Sequence, residues 1–175
     1  MFHDYFFPVL FAIILTGLLY TAGVLLMKYY FSHKKSPGQP QTADEDQKII
    51  LPLRLQAYER IVLFLERITP SNLIMRINQN EMTAVELQTA LVKTIREDFE
   101  YNLSQQVYLS PRSWELIKHA KEECIKMINL ASGKVSGAAP SAELVRIIFN
   151  LVLEQEKLPV AVALEEIKAE IQRSF

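Results

Sequence analysis

The sequence predicts an all-α protein with one N-terminal transmembrane helix and a cytoplasmic bundle of about five helices. The first observation behind this prediction is an uncharged run from Tyr5 to Met27. The second is helical spacing of apolar residues through the rest of the chain. The third is the scarcity of glycine after residue 47, where only Gly133 and Gly137 occur. Tight hairpins and phosphate-binding loops need more glycine than this.

The uncharged run is long enough to cross a membrane. Its 23 residues would extend over about 35 Å as a helix, and the bilayer hydrocarbon core is about 30 Å thick. A proline in the first turns costs little there, and aromatic residues at both ends suit the membrane interface. A cleavable signal would have a basic start, a shorter apolar stretch and a small-residue cleavage site. The residues that mark the predicted span are Tyr5, Pro8, Gly17, Tyr20 and Met27.

Lysines after the span predict its orientation. Lys28, Lys34 and Lys35 follow the apolar run, and no Lys or Arg precedes it. Positive residues tend to stay in the cytoplasm, so we expect a single-pass protein of the bacterial inner membrane with its N-terminus outside. A lone cysteine, Cys124, fits a reducing compartment. The inverse topology, which would make the chain a periplasmic binding module, stays open.

Composition divides the chain into three parts. Residues 1–31 form the predicted anchor, 32–47 a flexible polar linker rich in proline and charge, and 48–175 a soluble helical domain. From Lys48 onward, acidic and basic residues are equal in number. A nucleic-acid-binding surface normally requires a basic excess or patch, so we expect no nucleic acid partner.

Capping signals place the helices of the domain. The first helix has apolar residues that begin at Leu51 and recur every three or four positions. It ends before Pro70. The stretch 71–82 predicts one or two helical turns or an extended connector. Thr83 and Glu86 then form a capping box that opens a helix running to about Gln106.

Three further helices follow in the sequence. Ser110 as N-cap and Pro111 at the first helical position open a helix whose apolar face includes Trp114 and Cys124. Pro140 and Pro159 open the last two helices. The polar face predicted for the last helix consists of Glu165, Glu166, Lys168 and Glu170.

The strongest candidate for chemistry is a cluster around His119. On a helix, Glu115 and Glu123 lie four residues either side of His119, and Glu122 lies three after it. These groups would support a metal-dependent or hydrolytic enzyme only with ligands from another helix, because no Glu-x-x-His motif of the carboxylate-bridged bundles occurs. The cluster lies opposite the apolar face, which favours a solvated charged surface. We therefore expect no catalytic residue, no metal and no cofactor.

Two features point to binding. A candidate helix-packing stripe of small residues lies in the span, formed by Ala12, Thr16, Gly17 and Thr21. The first helix of the domain has apolar residues outside its main stripe, including Leu53 and Leu63. It is either the central helix of the bundle or half of an oligomer interface.

Two segments carry a resemblance to a known family. The stretches LPLRLQAYERIVLFLERITPSNLIMRIN and MTAVELQTALVKTIREDFEYNLSQQVYLSPRSWELIKHAKEE resemble a family of uncharacterised single-span membrane proteins from Bacteroidota. The resemblance covers about residues 48–130. It implies an N-terminal anchor, a helical cytoplasmic domain and no assigned activity.

These observations predict a non-enzymatic, membrane-anchored helical adaptor or accessory subunit of a membrane protein complex. The expected partners are the lipid bilayer and another membrane or cytoplasmic protein, and a homo-oligomer is compatible with the exposed apolar residues.

Overall fold

The computed structural model describes residues 15–29 and 41–174 of the 175-residue chain, and for 41–48 and 174 it describes the backbone alone. The described residues form seven α-helices, one 3-10 helix and no strand, which confirms the all-α class. The helices are α1 (15–29), α2 (Gln41–Ile68), α3 (Pro70–Ile77), α4 (Ala84–Tyr101), the 3-10 helix (Leu103–Tyr108), α5 (Pro111–Ser132), α6 (Ser141–Leu153) and α7 (Pro159–Ser174).

The chain divides into two compact units, Met1–Gln47 and Lys48–Phe175. The second unit, called the helical domain below, holds α3 to α7 and most of α2. It therefore has six α-helices where the sequence predicts about five, because α3 is a separate helix. Pro70 occupies the first turn of α3, where its missing N–H is not needed.

Most helix starts lie where the capping signals predict them. Thr83 caps α4 with a complete capping box, in which the Thr83 side chain accepts from the Glu86 N–H and the Glu86 carboxylate accepts from the Thr83 N–H. Ser110 caps α5 by accepting from the Ser113 N–H at 3.2 Å. Pro140 and Pro159 stand at the starts of α6 and α7 as predicted.

Two boundaries differ from the predictions. The first is the start of α2 at Gln41, because residues 41–47, predicted as part of the flexible linker, are helical. The acidic run Asp44-Glu45-Asp46 favours the first turns of a helix, and the helix-breaking Pro40 lies just before it. The second is the end of α4 at Tyr101, five residues before the predicted end. The Asn102 amide donates to the Asp98 carbonyl at 2.7 Å, and the chain then tightens into the 3-10 helix.

The core of the helical domain is built around α5. This helix packs against α4, α6 and α7, and its buried face includes Trp114 and Cys124 as predicted. Trp114 stacks on Phe99 of α4 at 5.5 Å between ring centroids, and Phe99 contacts Phe64 of α2 at 5.8 Å. The aromatic row thus joins three helices, and Trp114 lies in the core, on the apolar face that the sequence predicts.

The helix α2 buries one side and exposes the other. Ile61, Phe64 and Leu65 are fully buried, whereas Leu53 and Leu63 are exposed. The helix α2 is therefore not enclosed on all sides, and the choice between a central helix and half of an oligomer interface stays a prediction. Its outer side is available to a partner.

The predicted membrane span extends beyond the described residues. Its positions from Tyr5 to residue 14 lie outside them, and the rest forms α1. Over residues 15–29 and 41–174, no helix has both the length and the apolar character needed to cross a membrane.

Candidate functional site

The helix α1 presents apolar side chains on all sides. Every residue from 15 to 29 is exposed, and none of those from 15 to 27 is charged. Leu18 and Leu19 are 64% and 66% exposed, and the Thr21 hydroxyl is satisfied within the helix by donating to the Leu18 carbonyl at 3.0 Å. An apolar surface of this extent marks a site for a membrane or a protein partner.

The predicted anchor residues lie only partly within the described chain. Tyr20, Met27 and Lys28 are exposed on α1 together with Thr16, Gly17 and Thr21. The remaining predicted positions lie outside the described residues, namely Tyr5, Pro8, Ala12, Lys34 and Lys35.

The small residues of α1 do not form a single line. Gly17 and Thr21 are one turn apart on the same side, whereas Thr16 is rotated by about 100° from Gly17 because a helix has 3.6 residues per turn. A Cβ added at Gly17 would have no neighbour within 4 Å in this structure.

The cluster around His119 lies on an open surface. His119 and Glu115 are exposed on the outer face of α5. Glu115 pairs with Lys118 at 2.7 Å, and Glu122 pairs with Lys121 at 2.7 Å. No described residues group three or more His, Cys, Asp or Glu side chains as a metal site would require. The arrangement corresponds to the solvated charged face that the sequence favours.

The buried carboxylate of Glu170 joins three helices. Glu170 of α7 was predicted on the polar face, but it is only 7% exposed. Its Oε1 accepts from the Tyr58 hydroxyl and from the Ser110 N–H, each at 2.9 Å. Its Oε2 accepts from the Ser110 hydroxyl at 2.7 Å and from the Ser113 hydroxyl. We call Glu170, Tyr58, Ser110 and Ser113 the Glu170 junction.

The Glu170 junction completes the cap of α5. In a capping box, the third helical residue accepts from the N-cap N–H. That residue is Ser113 in α5, which donates to Glu170 instead. Glu170 therefore supplies from α7 the carboxylate that α5 lacks, and its negative charge lies where the helix dipole favours it.

Hydrogen bonding keeps the Glu170 carboxylate ionised. Burial by itself raises the pKa of this group, but the hydrogen bonds from Ser113, Ser110 and Tyr58 lower it, and the net effect is a pKa below the ordinary value of 4.5. Arg54 also donates to the Tyr58 hydroxyl at 3.0 Å. A low-pKa carboxylate is a poor proton donor near neutrality, so these contacts suit a structural role.

The signal for this junction was present in the sequence. Val160, Ala163 and Ile167 are buried on α7, and Glu170 continues their three- and four-residue spacing. The apolar stripe alone therefore places Glu170 inward.

Asp98 of α4 also organises a set of charges between three helices. Its two carboxylate oxygens accept from Arg67 of α2 at 3.1 Å and from Arg76 of α3 at 3.0 Å. Two arginines therefore share one carboxylate where α2, α3 and α4 meet.

Cys124 is buried, as predicted. Burial, with a smaller contribution from the Glu123 charge, raises its pKa to about 12. Because the thiolate is the reactive form, this thiol is not a nucleophile at neutral pH.

A family model matches residues 4–174, almost the whole chain. The chain belongs to DUF7935, a family of unknown function. This agrees with the predicted membership of an uncharacterised family. No curated protein and no solved structure matches the chain.

This DUF7935 chain has shallow grooves on the surface of its helical domain. One groove of about 410 Å³ lies between α2 and the 3-10 helix, with Leu53, Gln56 and Arg60 on one wall and Ser104 and Val107 on the other. It is open to solvent and has no carboxylate or histidine in its walls, so its chemistry suits side-chain packing.

Proposed function

We propose that this chain is a membrane-anchored helical adaptor or accessory subunit of a membrane protein complex, without catalytic activity of its own. The observation that carries the proposal is α1, whose described side chains are all exposed and, before Lys28, all uncharged. Placing such a surface in lipid removes its apolar area from water, which favours the membrane by about 25 cal/mol per Å².

The proposed anchor includes residues before Leu15. The 15 residues from 15 to 29 extend over about 22 Å as a helix, which is shorter than the hydrocarbon core of about 30 Å. The uncharged sequence continues back to Tyr5, and a helix from there would reach the required length. Lys28, Lys34 and Lys35 would then lie at the cytoplasmic surface.

The helical domain supports a binding role. Its most deeply buried carboxylate, Glu170, holds three helices together, and its histidine lies on an open face among paired carboxylates. Large apolar side chains remain exposed on its surface, among them Tyr101, Leu103 and Val107. These features favour contact with another protein over catalysis. The family match includes α1 as well as the domain, which is consistent with a common role for the two parts.

Carbonate extraction of membranes tests the anchor. Leu18→Arg together with Leu19→Arg places two charges within the apolar run, and each costs about 3 kcal/mol at the centre of a membrane helix. We expect the unaltered chain to resist extraction and the double variant to be released. The matched control is Met75→Arg with Leu153→Arg, two exposed apolar positions of the helical domain, which should stay in the membrane. Release of the unaltered chain, or equal release of both variants, would contradict the anchor.

Affinity capture tests the adaptor role. The intact chain is crosslinked in its native membranes, solubilised in mild detergent and purified. We expect one other protein at a fixed ratio to the chain. Repeated recovery of this chain with no other protein would contradict the adaptor role while leaving the anchor intact.

A further inference from the structure

We draw no further inference here: the strongest candidate, the exposed apolar surface patch on the outer side of α2 with Leu53 and Leu63 and the shallow groove between α2 and the 3-10 helix, carries nothing, because no feature of the described residues shows what covers it.

Discussion

Removal of the Glu170 carboxylate should destabilise the helical domain more than any change to an exposed acidic residue. The variant Glu170→Ala leaves the Tyr58 hydroxyl and the Ser110 N–H without their acceptor, both of which bond to Oε1 at 2.9 Å. It also removes the carboxylate from the N-terminus of α5. The Ser110 and Ser113 hydroxyls can rotate toward other acceptors, but the backbone N–H cannot.

The expected cost follows from these contacts. A hydrogen bond to a charged group contributes about 1.5–3 kcal/mol, and loss of one partner of a buried charged network costs about 3–5 kcal/mol. Since the four bonds share one carboxylate, they are not additive, and we expect a loss of about 4 kcal/mol. For a domain of roughly 130 residues, an unfolding entropy of about 2.1 cal/mol/K per residue converts this loss into a Tm lower by about 15 °C. Glu170→Gln keeps the shape of the side chain and one acceptor oxygen, so we expect it to lower the free energy of unfolding by about 2 kcal/mol.

Urea unfolding of the full chain in mild detergent measures this loss. The protein has one tryptophan, Trp114, which is next to Ser113 and stacks on Phe99, so its fluorescence reports directly on this part of the domain. The matched control is Glu165→Gln on the same helix, where the carboxylate is exposed and pairs with Lys157. We expect a change below about 0.5 kcal/mol there. If Glu170→Gln and Glu165→Gln cost the same small amount, the structural role of the junction is refuted.

The same junction predicts a dependence on pH. The hydrogen bonds from Ser113, Ser110 and Tyr58 hold the pKa of Glu170 below its ordinary value of 4.5 in the folded state. Its contribution is therefore fully present above that value and is lost as the pH falls through the lower folded pKa. The difference in unfolding free energy between the unaltered chain and Glu170→Gln should be constant from about pH 8 to 5 and shrink below about pH 4.5. A difference that grows on acidification would contradict this assignment.

Three further predictions concern other parts of the helical domain. Thr83→Ala should lower the free energy of unfolding by about 1 kcal/mol, because it removes the N-cap of α4. The control Thr89→Ala, within the same helix, should lower it by less than half as much in the same urea titration. Cys124, with its pKa raised to about 12, should react with a thiol reagent at pH 8 only as the domain unfolds, and fast labelling of the folded chain would refute its burial. Phe99→Ala should cost about 3 kcal/mol by opening a cavity between Phe64 and Trp114 and should shift the Trp114 emission, whereas Phe99→Leu should cost about half as much.

Much of the fold was predictable because it depends on local signals. The Thr83–Glu86 capping box and the Ser110-Pro111 helix start act within a few residues, and the structure confirms both. The start of α2 was missed because the acidic run after Pro40 was interpreted as a polar tether. The same composition also favours a helix N-terminus.

The Glu170 junction was missed for a different reason. A polar residue on an amphipathic helix was assigned outward by its chemistry, although its spacing from Val160 and Ile167 assigned it inward. Glu170 faces inward because it bonds to the start of α5 at Ser110. The two residues are 60 positions apart in the chain, so this is a tertiary contact. Likewise, the sharing of Asp98 by Arg67 and Arg76 depends on how α2, α3 and α4 meet, which no local pattern specifies.

The most direct test of the proposed anchor is the labelling of single introduced cysteines in bacterial sphaeroplasts with a membrane-impermeant maleimide. The native Cys124 is buried, so the unaltered chain provides the background. Asp4→Cys lies before the proposed span, and Lys134→Cys lies in the exposed loop between α5 and α6. We expect Asp4→Cys to be labelled in intact sphaeroplasts and Lys134→Cys only after the membrane is permeabilised. Labelling of both variants only after permeabilisation, or labelling of Lys134→Cys in intact sphaeroplasts, would contradict a membrane-spanning anchor that holds the helical domain in the cytoplasm.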